Sequence, residues 1–347
     1  MTMAADIPLL SLASSPEEFL KAMSSTGFLH LSLVDSPVPP SAVRKAFSTS
    51  SVLYDEISLE ERCRFSRDDD NNFNGHTGVG STYLNREGGQ QKPDWKEGFG
   101  YGRFKPGQDW DQRMPQRLEQ RRSEMAAFAD GCYELMLLVL DKLSLAFNLP
   151  EDYFRACHKH QGANSVTLLN YPPPPTGYKV GEEDIRAGAH KDWGSVTLLF
   201  QEDGGQPGLE VFLPESRQAQ NGVRLLADVN LKEGKWLAAP VIPDTVLINL
   251  GLMMEAWTSG QCVATLHRVV FPPNPTPKSR RSIAYFGTPD PQVELRPVAK
   301  GGIIDSSKAA PRVKEFFEER LKRAEVPKAE RKELTRESSL VPIEASG

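Results

Sequence analysis

The chain has 347 residues, 39% of them hydrophobic and 25% charged, so it can bury a sizeable core. Its 41 basic and 46 acidic residues give a formal charge of −5 and form no basic block, which argues against a nucleic-acid-binding protein. No run approaches the ~20 apolar residues needed to span a bilayer. The first residues, MTMAADIPLLSL, lack the basic region and long apolar core of a signal peptide. Cys63, Cys132, Cys157 and Cys262 are widely separated and form no CxxC pair. Reduced thiols in a soluble cytoplasmic protein are the expectation.

In chain order, residues 7–12 predict a short strand, and Ser15 can cap a helix running through Pro16-Glu17-Glu18. Residues 27–34 alternate around His30 as a second strand, and a helix is expected over 41–54. Residues 66–110 are rich in Gly, Asn and Asp and predict a long loop; such loops are usually functional, and this one is a candidate lid. Apolar residues then recur at helical spacing over 114–149, predicting one long amphipathic helix.

Beyond Pro150 the character changes. Short apolar runs stand at SVTLLNY, GSVTLLFQ, GLEVFL, VRLLADV, KWLAAPV, DTVLINLG, ATLHRVV and RSIAYFG, separated by turn residues. That spacing predicts a sandwich, barrel or jelly roll. A charged helix is expected over 307–333. The expected division is an N-terminal α/β region over 1–150, a strand-rich core over 151–300 and a tail over 301–347, together one catalytic unit.

Within the strand-rich half, His190-Lys191-Asp192 places two ligand types two residues apart, and side chains at i and i+2 of a strand share a face. His267 lies in a later strand. Two imidazoles and one carboxylate form a facial set that leaves coordination positions open and suits Fe(II) oxygen chemistry. An H-x-D triplet alone is weak, since such pairs are more often surface hydrogen bonds. Downstream, Arg280 and Ser282 share a strand face in RRSIAYF, and a guanidinium fork beside a hydroxyl is a receptor for a carboxylate. The opposite alternation would turn Arg281 inward and leave Arg280 in solvent.

Six segments in order resemble the isopenicillin N synthase-like family of Fe(II)/2-oxoglutarate dioxygenases. They are IPLL with STGFLHL, DWKEGF (94–99), LLNYPPPP, AGAHKDWGSVTLLFQEDGGQPGLEVF, WLAAPVIPDTVLINLG and HRVVFPPNPTPKSRRSIAYF. The resemblance implies a mainly β fold, a double-stranded β-helix (jelly roll) core with N-terminal helices. It implies His190, Asp192 and His267 as iron ligands, and Arg280, Ser282 and Tyr171 as the receptor for the distal carboxylate of 2-oxoglutarate. The choice of Arg280 over Arg281 follows the family's R-x-S spacing. Fe(II), 2-oxoglutarate and O2 would oxidise a small organic molecule by hydroxylation, desaturation or ring formation, with release of succinate and CO2. A natural-product intermediate is the family-level expectation for that molecule. A 2-oxoglutarate-independent oxidase, a non-catalytic small-molecule-binding protein of the same fold and an interaction protein are the alternatives.

The chain departs from the family at Leu169, where many members have Asn, and at Leu252, where many have Asp after the glycine. Substrate contacts are expected from His76, Tyr83, Phe99 and Phe286. His158 and His160 read as solvated loop residues, and His30 as a strand residue near the N-terminal core.

Overall fold

The computed structural model describes residues 3–67, 74–86, 88–102, 112–159, 164–214, 231–298, 302 and 310–324. The strand expected at 223–229, the end of the tail helix and His160 lie outside them.

The N-terminal region begins with β1 (Leu9–Leu10), α1 (Pro16–Ser25), β2 (Phe28–Ser32) and α2 (Pro40–Ser51). Helix α1 starts where the sequence dictates: Ser15 Oγ accepts from the Glu18 amide and the Glu18 carboxylate accepts from the Ser15 amide, a reciprocal capping box with Pro16 in the first turn. Next come α3 (Leu59–Cys63), β3 (Gly75–Thr77) and β4 (Glu97–Tyr101). The helix expected over 114–149 is broken into α4 (Gln116–Glu119) and α5 (Arg122–Ala146). Helix α5 buries Met125, Phe128, Leu135, Met136, Leu140 and Leu143. Burial of such side chains is worth roughly 1.5–3 kcal/mol each, against ~1 kcal/mol lost to a helical glycine such as Gly131. Packing therefore sets this helix, not propensity.

The remaining strands are β5 (Ser165–Tyr171), β6 (Ala187–His190), β7 (Val196–Gln201), β8 (Leu209–Pro214), β9 (Gly234–Ala238), β10 (Thr245–Leu250), β11 (His267–Val269) and β12 (Arg280–Gly287), with α6 (Leu252–Trp257) after β10 and α7 (Val313–Ala324) after β12. Among the described residues they build two sheets, ordered β1-β2-β10-β7-β12-β5-β4-β3 and β6-β11-β8-β9. All pairings are antiparallel except β1 with β2. Strands β1 to β4, from the first 150 residues, extend the same large sheet that holds β5, β7, β10 and β12. The architecture is thus mixed α/β, with N-terminal helices and two antiparallel sheets, rather than mainly β.

Strict alternation divides the large sheet. Val166 and Leu168 of β5, Leu198 and Phe200 of β7, and Ile283 and Tyr285 of β12 join the core beneath the helices. The opposite face carries Leu169, Tyr171, Leu199 and Leu247, which meet Ala187, Leu209, Val211 and Val269 of the small sheet in a second core. Arg280 and Ser282 have the parity of this second face. The space between the sheets is where the predicted ligands converge.

Candidate metal centre and carboxylate pocket

His190 ends β6 and His267 begins β11, and the two are direct cross-strand partners. Directly opposed residues project from the same face, so this register alone brings the imidazoles together, with ring centroids 4.3 Å apart. Asp192 follows two residues after His190. One ligand atom from each of the three lies within 4.8 Å of the others, and each histidine Nε2 is 3.8 Å from Asp192 Oδ1.

Each ligand is oriented by a hydrogen bond on its far side. His190 Nδ1 donates to the Gly188 carbonyl at 2.7 Å and His267 Nδ1 to the Thr265 carbonyl at 3.0 Å. A carbonyl only accepts, so both Nδ1 atoms carry a proton, and both Nε2 atoms are left to face the centre. Asp192 Oδ2 accepts from Thr197 Oγ1 and Asn249 Nδ2, each at 2.7 Å, leaving Oδ1 toward the imidazoles. Burial, then the neighbouring His267, push His190 well below the usual imidazole range and keep it neutral. Burial alone would raise the Asp192 carboxyl, but His267, His190 and the Thr197 and Asn249 hydrogen bonds hold it below its ordinary value. Two imidazole nitrogens and a carboxylate oxygen are a donor set that fits Fe(II). With 21% of its side chain exposed, against 10% for His267 and 8% for Asp192, His190 marks the side from which small molecules can reach the centre.

The backbone around Asp192 is fixed by α6. The Leu252 amide donates to the Asp192 carbonyl at 2.8 Å, a main-chain contact that the leucine side chain leaves intact. Gly251 is required here, because a Cβ would stand 2.2 Å from the Gly194 carbonyl oxygen. Leu169, the other departure, is a packed apolar residue of the inter-sheet core.

Arg280 is 2% exposed and its guanidinium lies over the Tyr171 ring at 4.9 Å. Nη2 donates to Gln201 Oε1 at 3.0 Å, while Nε and Nη1, and the neighbouring Ser282 Oγ, have no acceptor or donor. Burial lowers the Arg280 pKa. A buried cation with two unpaired donors beside a free hydroxyl needs an anion. Arg281 points to the other face, where it pairs with Asp55 and donates to Ser51 Oγ at 2.7 Å.

The remaining expectations divide. Phe286 is half-buried, has the parity of Arg280 and Ser282, and stands opposite Thr197. Tyr83 is half-buried under the Arg86 guanidinium. Phe99 is placed elsewhere: it is fully buried among the helix-side core residues and meets Tyr101 edge-on. Alternation along β4 turns Gly98 and Gly100, not Phe99, toward the second sheet. His76 pairs with Phe99 and donates from Nε2 to Glu97 at 3.0 Å on that same far side. Both therefore lie on the wrong face for the substrate contacts expected of them. His158, expected in solvent, is 1% exposed and bonded to Ser195 Oγ and the Phe154 carbonyl, each at 2.8 Å. The segment after Tyr83 is anchored by Asp94, which accepts from Gly188 N, Gln90 Nε2 and Thr82 Oγ1. That ties the DWKEGF stretch to the strand that carries His190. Sequence reasoning missed Thr197, Asn249 and Gln201. Strand parity with the predicted ligands was the available signal for all three.

Two sheets enclosing a His-Asp-His set and a buried, partly unpaired arginine are the arrangement expected of a non-haem iron oxygenase. The 2OG-Fe(II) oxygenase superfamily profile matches residues 163–289, and the profile of the N-terminal region of the non-haem dioxygenase in morphine synthesis matches 7–121. The UPF0676 protein C1494.01 of Schizosaccharomyces pombe is 32% identical over 84% of this chain and 85% of its own length. The proline hydroxylase buaE of Petromyces alliaceus is 27% identical over 79% of this chain and 81% of its own. A full-length Neurospora crassa protein, solved in complex with alpha-KG and thymine, superposes with a TM-score of 0.75 at 23% identity, covering 94% of this chain and all of that one. The chain belongs to the 2OG-Fe(II) oxygenase superfamily, as an isopenicillin N synthase-like 2-oxoglutarate-dependent dioxygenase whose cofactors are Fe(II) and 2-oxoglutarate. The double-stranded β-helix core follows from that membership.

Proposed function

We propose that His190, Asp192 and His267 hold the iron, that Arg280 and Ser282, with Tyr171 beside them, hold the distal carboxylate of 2-oxoglutarate, and that the enzyme oxidises a small organic molecule bound at the side of the centre where His190 is exposed. The observation that carries this is the pair of complementary features in one inter-sheet space: three converging ligand atoms and an unpaired, buried guanidinium with a free hydroxyl. When bound, Fe(II) and 2-oxoglutarate supply O2 activation, with 2-oxoglutarate leaving as succinate and CO2. The chain itself orients the ligands through Thr197, Asn249, Gly188 and Thr265, neutralises the co-substrate's far end and keeps water from it.

Phe286 and Tyr83 are the substrate contacts this reading retains. A small-molecule substrate agrees with relatives such as the proline hydroxylase buaE, a natural-product intermediate is the finer reading we propose, and regions 1–150 and 151–300 act as one catalytic unit. No helix among the described residues is long and apolar enough to cross a membrane, and the enzyme we propose acts on a dissolved substrate. The test is a two-part assay. Anaerobic titration of the Fe(II)-loaded protein with 2-oxoglutarate should give a weak visible charge-transfer band. Under O2, succinate should form with a panel of small molecules only when both Fe(II) and 2-oxoglutarate are present. Oxidation of a substrate without 2-oxoglutarate consumption would replace this reading with a 2-oxoglutarate-independent oxidase.

A further inference from the structure

Arg186 stands immediately before β6, four positions upstream of His190, and is completely buried. Its Nη2 donates to Gln206 Oε1 at 3.0 Å, and its guanidinium lies 4.9 Å from the centre of the Phe271 ring. Nε and Nη1 have no partner, and among the described residues no carboxylate pairs with it. Gln206 in turn donates to the Lys278 carbonyl, two residues before Arg280, so one short chain of contacts links Arg186 to the start of β12. Burial, then the Arg280 charge, pull Arg186 down to about 10.

Two buried cations linked through Gln206 and the Lys278 carbonyl repel, and each leaves two nitrogens without an acceptor. The nearby amide oxygens of Gln201 and Gln206 are already used by the two Nη2 atoms. A cation–π contact offsets only part of the desolvation cost. What the pocket lacks is one anion able to accept several N–H bonds at once. A carboxylate offers about four lone-pair sites, enough to accept one N–H from each guanidinium and the Ser282 hydroxyl.

We propose that Arg186 is a second guanidinium of the co-substrate pocket, donating one of its two unpaired N–H groups, Nε or Nη1, to the same distal carboxylate that Arg280 and Ser282 receive, so that the pocket selects a 2-oxodicarboxylate over a 2-oxomonocarboxylate. This rests on the assignment of Arg280 and Ser282 to 2-oxoglutarate. Arg186 touches neither the metal ligands nor the reacting carbons, so its contribution is to affinity and co-substrate choice.

The experiment is calorimetric titration of the anaerobic Fe(II)-loaded enzyme with 2-oxoglutarate and, separately, with pyruvate, which keeps the chelating end and lacks the distal carboxylate. Arg186→Gln should weaken 2-oxoglutarate binding by about ten-fold or more, the scale for one lost charge-assisted contact, and leave pyruvate binding unchanged. Arg186→Lys keeps the charge but not the fork, and should show a smaller loss confined to 2-oxoglutarate. It also serves as the readable variant if the Gln variant does not fold. Unchanged 2-oxoglutarate affinity in the folded variants would overturn the proposal, and so would equal losses for both ligands, which would make Arg186 a purely structural residue. Arg280→Gln separates the two levels. If it leaves 2-oxoglutarate binding intact, the carboxylate assignment itself fails. If it weakens binding while the Arg186 variants do not, only this inference fails.

Discussion

Asn249 Nδ2 donates to Asp192 Oδ2 at 2.7 Å, from the strand next to β7, and Thr197 Oγ1 reaches the same oxygen at the same distance. The two bonds occupy one carboxylate oxygen and leave the other facing His190 and His267. A carboxylate held this way approaches a metal with one oxygen and is poorly able to rotate. Asn249 and Thr197 are themselves cross-strand partners, so one sheet register sets both contacts.

Asn249→Leu and Thr197→Val should each weaken Fe(II) binding without removing a ligand. Loss of such supporting hydrogen bonds typically costs about 10–100-fold in metal affinity or activity. Competition for Fe(II) against a chromogenic chelator reads this directly. His190→Ala, Asp192→Ala and His267→Ala should lose turnover altogether while the fold survives, because an open catalytic site contributes less to folding than a closed structural one. An Asn249 variant that bound iron as tightly as the parent would mean that Asp192 is oriented by something else.

Arg280 and Arg281 are adjacent, yet one faces the inter-sheet pocket and the other pairs with Asp55 on the helix side. Arg280→Ala should raise the apparent KM for 2-oxoglutarate strongly, since truncating a buried charge-pair partner costs roughly 2–5 kcal/mol. Arg281→Ala should leave that KM nearly unchanged and shift thermal stability slightly. Steady-state kinetics with 2-oxoglutarate as the varied species distinguishes them, and equal KM effects would contradict the strand parity of β12.

The convergence of His190, Asp192 and His267 and the inward facing of Arg280 were legible in the sequence because period-2 alternation and the R-x-S spacing act locally. The two sheets were legible as strand runs but not in their order, since pairing between β10 and β2 joins residues more than two hundred positions apart. Phe99 and His76 were misplaced for a related reason. Nothing in EGFGY tells which parity faces the second sheet, because its alternate positions are glycines that suit a crowded inner face as well as a loop. His158 was misread because a polar neighbourhood, CHKHQ, surrounds a residue whose partners, Ser195 and Phe154, are supplied by tertiary packing.

Burial of His158 lowers its pKa to about 4, so the folded protein holds it neutral. The unfolded chain, with an ordinary value near 6.5, takes up a proton first as the pH falls. The stability that depends on neutral His158 is therefore intact above about pH 6.5 and is lost progressively as the pH drops through the window toward 4, by about 3 kcal/mol at most. Urea unfolding of the parent and of His158→Gln at pH 7.5 and pH 5 should show a smaller pH dependence in the variant. Identical dependence in both proteins would remove His158 as a source of acid sensitivity.

His76, Glu97, Arg62 and Asn170 form one buried polar network behind the large sheet. Glu97 accepts from Arg62 Nη2 at 3.1 Å, from His76 Nε2 at 3.0 Å and from Asn170 Nδ2 at 2.8 Å. Burial alone would raise the Glu97 carboxyl, but His76, Arg62 and Asn170 more than offset it and hold it below its usual range. A depressed carboxylate contributes stability above its unfolded pKa, and that contribution is lost as the pH falls through the folded value. Removing Arg62 leaves a buried carboxylate short of its charged partner, which typically costs about 3–5 kcal/mol, so Arg62→Met should unfold at markedly lower temperature. His76→Gln, which keeps a donor of similar reach, should lose less. Because this network lies across the sheet from the metal centre, His76→Gln should leave the KM for substrate unchanged once a turned-over substrate is in hand. A large substrate-KM change with unaltered thermal stability would put His76 back among the substrate contacts.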